Sequence, residues 1–105
     1  MYALAVHFTL RPGAGPAFDA LVARTVDSIR TAEPATLSYA VHEVEGDPDA
    51  RLFYELYADR AGFEEHERQP HVRAFLAERE QYLAAPPAVT FARLSAGLSK
   101  LDWTS

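Results

Sequence analysis

Cysteine is absent from this sequence, which excludes a disulfide framework, a thiolate metal site and a thiol nucleophile. That absence fits a reducing cytoplasm. Basic residues are few: ten Lys and Arg stand against fifteen Asp and Glu, a formal net charge of -5. They are scattered, so no basic stripe offers itself to nucleic acid. No apolar run approaches the roughly 18 residues of a membrane span. The opening "MYALAVHFTL" has neither the basic start nor the small-residue cleavage site of a secretory signal. The expectation is a soluble, cytoplasmic protein with no nucleic-acid or membrane partner. Phosphate chemistry also lacks its usual loop, because "RPGAGP" has prolines where backbone donors would be needed. No nucleophile elbow appears. What remains is ordinary globular composition, 49% hydrophobic and 24% charged over 105 residues. This suits a single domain over 1–105 with one core and a short tail from 97.

Hydrophobic periodicity divides the chain into seven elements. Residues 2–10 are β-rich and stop at Pro12 and Gly13. Pro16 suits a first helical turn, and Phe18, Leu21, Val22, Thr25, Val26 and Ile29 then recur at helical spacing. That helix ends near "AEPA", since Pro34 disfavours helical geometry at Glu33. Residues 36–45 alternate as a strand, with Leu37, Tyr39, Val41 and Glu43 on one side. "GDPD" (46–49) reads as a turn, and 50–58 return as the second arm of a hairpin. Asp59 is placed to cap a short helix, "RAGFEEHER". Pro70 starts another, with Val72, Phe75, Leu76, Arg79 and Leu83 on one stripe, ending before Pro86. Residues 88–96 form the last strand, and Trp103 anchors the tail.

The order β-α-β-β-α-α-β predicts an α+β, ferredoxin-like (split βαβ) fold, an antiparallel sheet with its helices on one face. Apolar residues occupy both alternating sets of the second and third strands. The face away from the helices is therefore expected to be covered, by a sheet-to-sheet homodimer that closes a dimeric α+β barrel. Tyr54 points to that side.

Chemistry concentrates in residues 51–75. His66 follows Phe63 by three residues, so both side chains turn inward on a helix. An inward imidazole titrating near neutral pH can take or give a proton. His71 stands in the first turn after Pro70 and faces Phe75; its alternative is to tie down a loop. Glu55 lies between Phe53 and Tyr57 on one strand face, where a carboxylate is costly unless paired or functional. It either orients His66 or His71 or bonds a helix N-terminus. The expected catalytic set is His66, His71 and Glu55. Tyr39, Phe53, Tyr57, Phe63 and Phe75 are the expected substrate-binding walls. Arg73 and Arg93 are the cations nearest the expected pocket. His66 and His71 do not match the i, i+4 spacing of a helical zinc pair; a metal held by His66, His71 and Glu55 is a lesser alternative, and the reading assigns neither metal nor cofactor. The faces of His7 and His42 stay open.

Three stretches carry a resemblance across nearly the whole chain: "RPG" after the first strand, "EP" before "LSY", and above all "FYELYADRAGFEEHERQPH". The chain resembles the antibiotic biosynthesis monooxygenase family, small dimeric α+β proteins that include quinol monooxygenases. The long motif is also similar to the subgroup that processes phosphorylated autoinducer-2. The resemblance implies the fold strongly and the substrate weakly. The haem-degrading branch carries a Trp, a His and an Asn at positions that here look like His66, Leu76 and Val6, so haem breakdown is not expected. The implied activity is a cofactor-independent monooxygenation of a small hydroxylated aromatic or quinol. Rival readings are an isomerase or tautomerase of a small carbonyl compound, and a dimer that binds a ligand without turnover.

Overall fold

The computed structural model describes residues 1–100; Trp103 and the end of the tail lie outside them. The elements are β1 (Tyr2–Thr9), α1 (Gly15–Ala32), β2 (Thr36–Val44), β3 (Asp47–Tyr57), α2 (Arg60–Arg68), α3 (Pro70–Glu78), a 3-10 turn (Arg79–Tyr82) and β4 (Ala88–Arg93). The sheet is antiparallel throughout, in the order β2-β3-β1-β4. The fold is α+β and ferredoxin-like, as the element order requires. None of the described helices is long and apolar enough to cross a membrane.

One alternating set of the two central strands faces the helices. Leu4, Val6 and Phe8 of β1 lie beside Phe53, Glu55 and Tyr57 of β3, and all are buried. Phe18 of α1 and Phe75 of α3 close over them. Ring centroids lie 4.6 Å apart for Phe8–Phe53, 5.4 Å for Phe8–Phe18 and 6.1 Å for Phe18–Phe75. Such tilted pairs add roughly 0.5–1.5 kcal/mol each beyond the area they bury. A bidentate ion pair fixes the start of α1 on β3: Arg51 Nε and Nη2 reach the two carboxylate oxygens of Asp19 at 2.8 and 3.0 Å. Arg51 is only 4% exposed, and its Nη1 also donates to the carbonyls of Pro48 and Ala50.

The hairpin departs from the expected turn. Val44 pairs directly with Asp47, so β3 begins three residues earlier than 50. The left-handed conformation falls on Gly46, φ +82°, where no Cβ opposes it. The pairing then jumps to Glu43↔Arg51. Pro48 sits in the resulting irregularity, where its missing N–H removes no ladder bond. A second register shift lies between Thr36 and Ser38. Leu37 is the extra residue there and is 47% exposed, instead of packing beside Tyr39. β4 stops at Arg93 because its partner β1 begins at Tyr2.

Both histidines of open orientation lie on the face away from the helices. His42 and His7 flank Leu52 in one cross-strand row. Tyr54 is there too, 42% exposed. On β2 that face carries Ser38, Ala40 and His42 rather than large apolar residues, so its hydrophobic stripe belongs to β3 alone: Leu52, Tyr54 and Leu56.

Candidate active site

Helix α1 is stopped by its own sequence, and the stop builds the site. Glu33 still donates its backbone N–H to Ile29, but its backbone has left the helix, φ -127° and ψ 80°, as the following Pro34 demands. The side chain turns inward and is 7% exposed. There it takes hydrogen bonds from three elements. His66 Nδ1, at the end of α2, lies 2.6 Å from Oε1. Thr36 Oγ1, at the start of β2, donates to the same oxygen at 2.8 Å. His71 Nε2, in the first turn of α3, bonds Oε2. A carboxylate only accepts, so Nδ1 of His66 and Nε2 of His71 carry the protons.

That tautomer leaves Nε2 of His66 as an acceptor. It has no hydrogen-bond partner among the described residues. Arg79 Nε is the one side-chain nitrogen or oxygen among them that is both unpartnered and sealed from solvent. The free nitrogen of His66 therefore has access to open space, and the imidazole lines a cavity of about 130 Å³. Phe8, Phe53, Phe63, Phe75 and Phe91 give this cavity aromatic walls; Thr25, Tyr39, Glu55, Glu67 and Arg79 are its other polar residues. Val89 and Phe91 of the edge strand β4 line it yet remain 45% and 54% exposed, so it reaches solvent along that edge.

Glu55 is 6% exposed and accepts a bond from the Tyr57 hydroxyl at 2.5 Å. Burial raises its pKa to about 7; the Tyr57 bond pulls the other way, and the charge of Glu67 adds to the rise. Tyr39 is held well above the usual phenol range, chiefly by burial and then by Glu55. The guanidinium of Arg79 lies 5.5 Å from the ring centre of Phe8 and 5.8 Å from that of Phe75, and burial lowers its pKa.

The expected site is thus partly assembled and partly rearranged. His66, Glu55, Tyr39, Phe53, Phe63 and Phe75 all line the cavity. His71 does not; it stands behind, on the other oxygen of Glu33, because Pro70 starts α3 at the level of the α1 terminus. Tyr57 does not either: it is fully buried and supports Glu55. Glu55 orients neither histidine and bonds no helix N-terminus, so the metal set His66, His71 and Glu55 does not come together. Among the described residues no group of three or more metal-ligating side chains is arranged to hold an ion. Arg73 is exposed and outside the cavity, and Arg93 lies in a shallow surface depression with Tyr2 and Arg60. The positions resembling the haem branch, Val6, His66 and Leu76, all line the cavity.

Two residues were not singled out from the sequence. Arg79 had a signal, since it is the one charged side chain on the apolar stripe that the sequence shows from Val72 to Leu83, although the structure places it in the 3-10 turn after α3. Glu33 had almost none. An acid at a helix C-terminus is electrostatically unfavourable, but its histidine partners lie 33 and 38 residues away.

Comparison with known proteins agrees with this architecture. The family described as Antibiotic biosynthesis monooxygenase matches residues 1–78, a span that holds Glu33, Tyr39, Glu55, His66 and His71 and stops just before Arg79. An uncharacterised protein of Synechocystis sp., sll1783, is 25% identical over 92 residues, which are 88% of this chain and 62% of that protein. The chain thus spans less than two thirds of that relative. The structure of Rv0793 from Mycobacterium tuberculosis is 31% identical, with 99% of this chain and 98% of that one covered and a TM-score of 0.78. A crystal structure of an antibiotic biosynthesis monooxygenase, 21% identical, covers 91% of this chain and 100% of its own at a TM-score of 0.83. At that identity the likeness concerns the fold.

Proposed function

The chain belongs to the antibiotic biosynthesis monooxygenase family, and on that premise we propose that it is a cofactor-independent monooxygenase acting on a small hydroxylated aromatic or quinol. The observation that carries this reading is the placement of His66, bonded through Nδ1 to buried Glu33 at the wall of an aromatic cavity. Nε2 takes the phenolic proton, and Glu33 stabilises the imidazolium that results. The phenolate transfers one electron to dioxygen. The superoxide and ring radical so formed join at a hydrogen-bearing ring carbon, and the imidazolium of His66 returns its proton to the resulting peroxide, giving a hydroperoxide. Loss of water from it leaves a carbonyl at that carbon. One oxygen atom stays in the product and the other leaves as water, and the ring supplies all the electrons. The apolar walls shelter the radical pair from solvent.

Oxygen consumption with a panel of dihydroxy-aromatics tests this reading, using protein shown to be free of flavin, haem and metal. Uptake that matches product formation mole for mole supports it, and no uptake with any member of the panel refutes it.

A second reading has its own support. Glu55, with a pKa near 7, and His66 line one cavity, and an acid and a base there suit proton transfer next to a carbonyl. An isomerase or tautomerase of this kind would turn over under nitrogen, where the monooxygenase stops.

We also propose a homodimer through the outer sheet face. Leu52, Tyr54 and Leu56 form its central stripe, flanked by Ala3, Ala5, Ala40, His7 and His42. None of these bears a formal charge apart from the titratable histidines, although 24% of the chain is charged. A second copy of the same face is the complement that such a surface fits.

A further inference from the structure

Arg79 has more donors than the protein satisfies. Its side chain is 20% exposed, its guanidinium lies near the rings of Phe8 and Phe75, and its Nε is buried with no acceptor. The carboxylate closest to Nε, Oε1 of Glu80, is 4.0 Å away on a side chain 69% exposed. That distance is too long for a hydrogen bond. A guanidinium keeps its proton at any physiological pH, so its donor cannot be silenced by titration. A half-buried cation whose donors lack hydrogen-bond acceptors costs the fold stability. Nε is sealed, but the two terminal guanidinium nitrogens make no hydrogen bond among the described residues and are not sealed, so at the cavity wall they are the donors that a ligand's acceptor can meet.

The rest of the cavity narrows the ligand further. At about 130 Å³ it is close to the roughly 150 Å³ that holds one benzene ring in an apolar protein interior. Tyr39 is kept un-ionised, and burial lifts Glu55 to a pKa of about 7. The other lining carboxylate, Glu67, is exposed to solvent. Arg79 is thus the one cation of the lining and faces the cavity without a bonded carboxylate. Resting on the reading of this cavity as the substrate site, we infer that the ligand is a single-ring phenol bearing a second, anionic oxygen group, bound by Arg79 while its hydroxyl meets His66. A carboxylate is the anion best matched to a guanidinium, through paired charge-assisted bonds.

The test is binding, read by calorimetry on the full chain at neutral pH without turnover. 4-Hydroxybenzoate is compared with 4-hydroxybenzamide, which has the same shape and no charge. The wild type should bind the acid roughly tenfold or more tightly than the amide. Arg79→Gln should lose that preference with amide binding little changed, and Arg79→Lys should keep part of it. Equal affinities in the wild type, no binding of either compound at millimolar concentration, or a preference that survives in Arg79→Gln would each overturn the inference. Should Arg79→Gln fail to fold, the wild-type pair and Arg79→Lys still decide. A protein that binds the acid through Arg79 but consumes no oxygen with any phenol loses the oxidation reading and keeps this one.

Discussion

Nδ1 of His66 lies 2.6 Å from Oε1 of Glu33, and this contact joins the end of the first helix to the end of the second at the cavity wall. It fixes which imidazole nitrogen is free. Replacing His66 with Gln should cost roughly 10²–10⁴ in rate, the usual loss on removing a positioned base. Glu33→Gln should cost less, because the base remains and only its orientation and the stabilised imidazolium are weakened. Steady-state kinetics on a confirmed substrate would separate the two, with a shifted pH profile for Glu33→Gln. An unchanged rate in His66→Gln would remove the assignment. His66→Ala is a poorer probe, since it also empties a buried site and strands Glu33, at roughly 1–3 kcal/mol.

Glu55 makes stability depend on pH in a predictable direction. The folded state holds its proton up to about pH 7, whereas the unfolded chain releases it near 4.5. Between those values the folded state binds more protons, so the Glu55 contribution to stability falls as pH rises through the window. Above it the cost is constant, at most on the order of 3 kcal/mol. Glu55→Gln removes the titration. Its stability relative to wild type should rise from pH 4.5 to 7 and then level off, as measured by urea melts at several pH values. A flat difference across that range would mean that Glu55 titrates normally.

The outer face predicts the assembly. Light scattering at micromolar concentration should give about twice the 11.6 kDa chain mass. Tyr54→Glu, which places a charge in the middle of the apolar stripe, should return the mass to that of one chain. A wild-type monomer at every concentration would refute the interface.

Gly15 predicts a local failure. A Cβ at that position would meet Arg51 Nη2 at 2.6 Å, and Arg51 is locked to Asp19 and two carbonyls. Gly15→Ala, though favoured by helix propensity, should therefore destabilise the protein by roughly 1–3 kcal/mol. Chemical denaturation measures it. A more stable variant would show that the ion pair yields freely.

The fold was legible because its signals are local. Prolines at 12, 16, 34 and 70, Asp59 as a cap that bonds the Gly62 N–H at 2.8 Å, and alternation along the strands mark the elements within a few residues. The cavity wall was legible for the same reason: Phe53 and Glu55 share a strand face, and Phe63 and His66 share a helix face. The partnerships were not. Glu33 meets His66 only after the chain has crossed β2 and β3, and no periodicity encodes that meeting. Register shifts were equally hidden, since Leu37 fits perfect alternation in the sequence and is displaced only by pairing with β3.

The strand order has a consequence for how the chain acquires its structure. β1 is made first yet lies inside the sheet, between β3 and β4. During synthesis it must wait for more than forty residues to meet one neighbour and for nearly ninety to meet the other. Contacts of such long range slow folding, because the chain entropy of closing the loops is lost before the pairing rewards it. Deleting 88–93 would not trim a dispensable edge. It would lay bare one whole side of the β1 ladder, a row of unpaired N–H and C=O groups that recruits other chains.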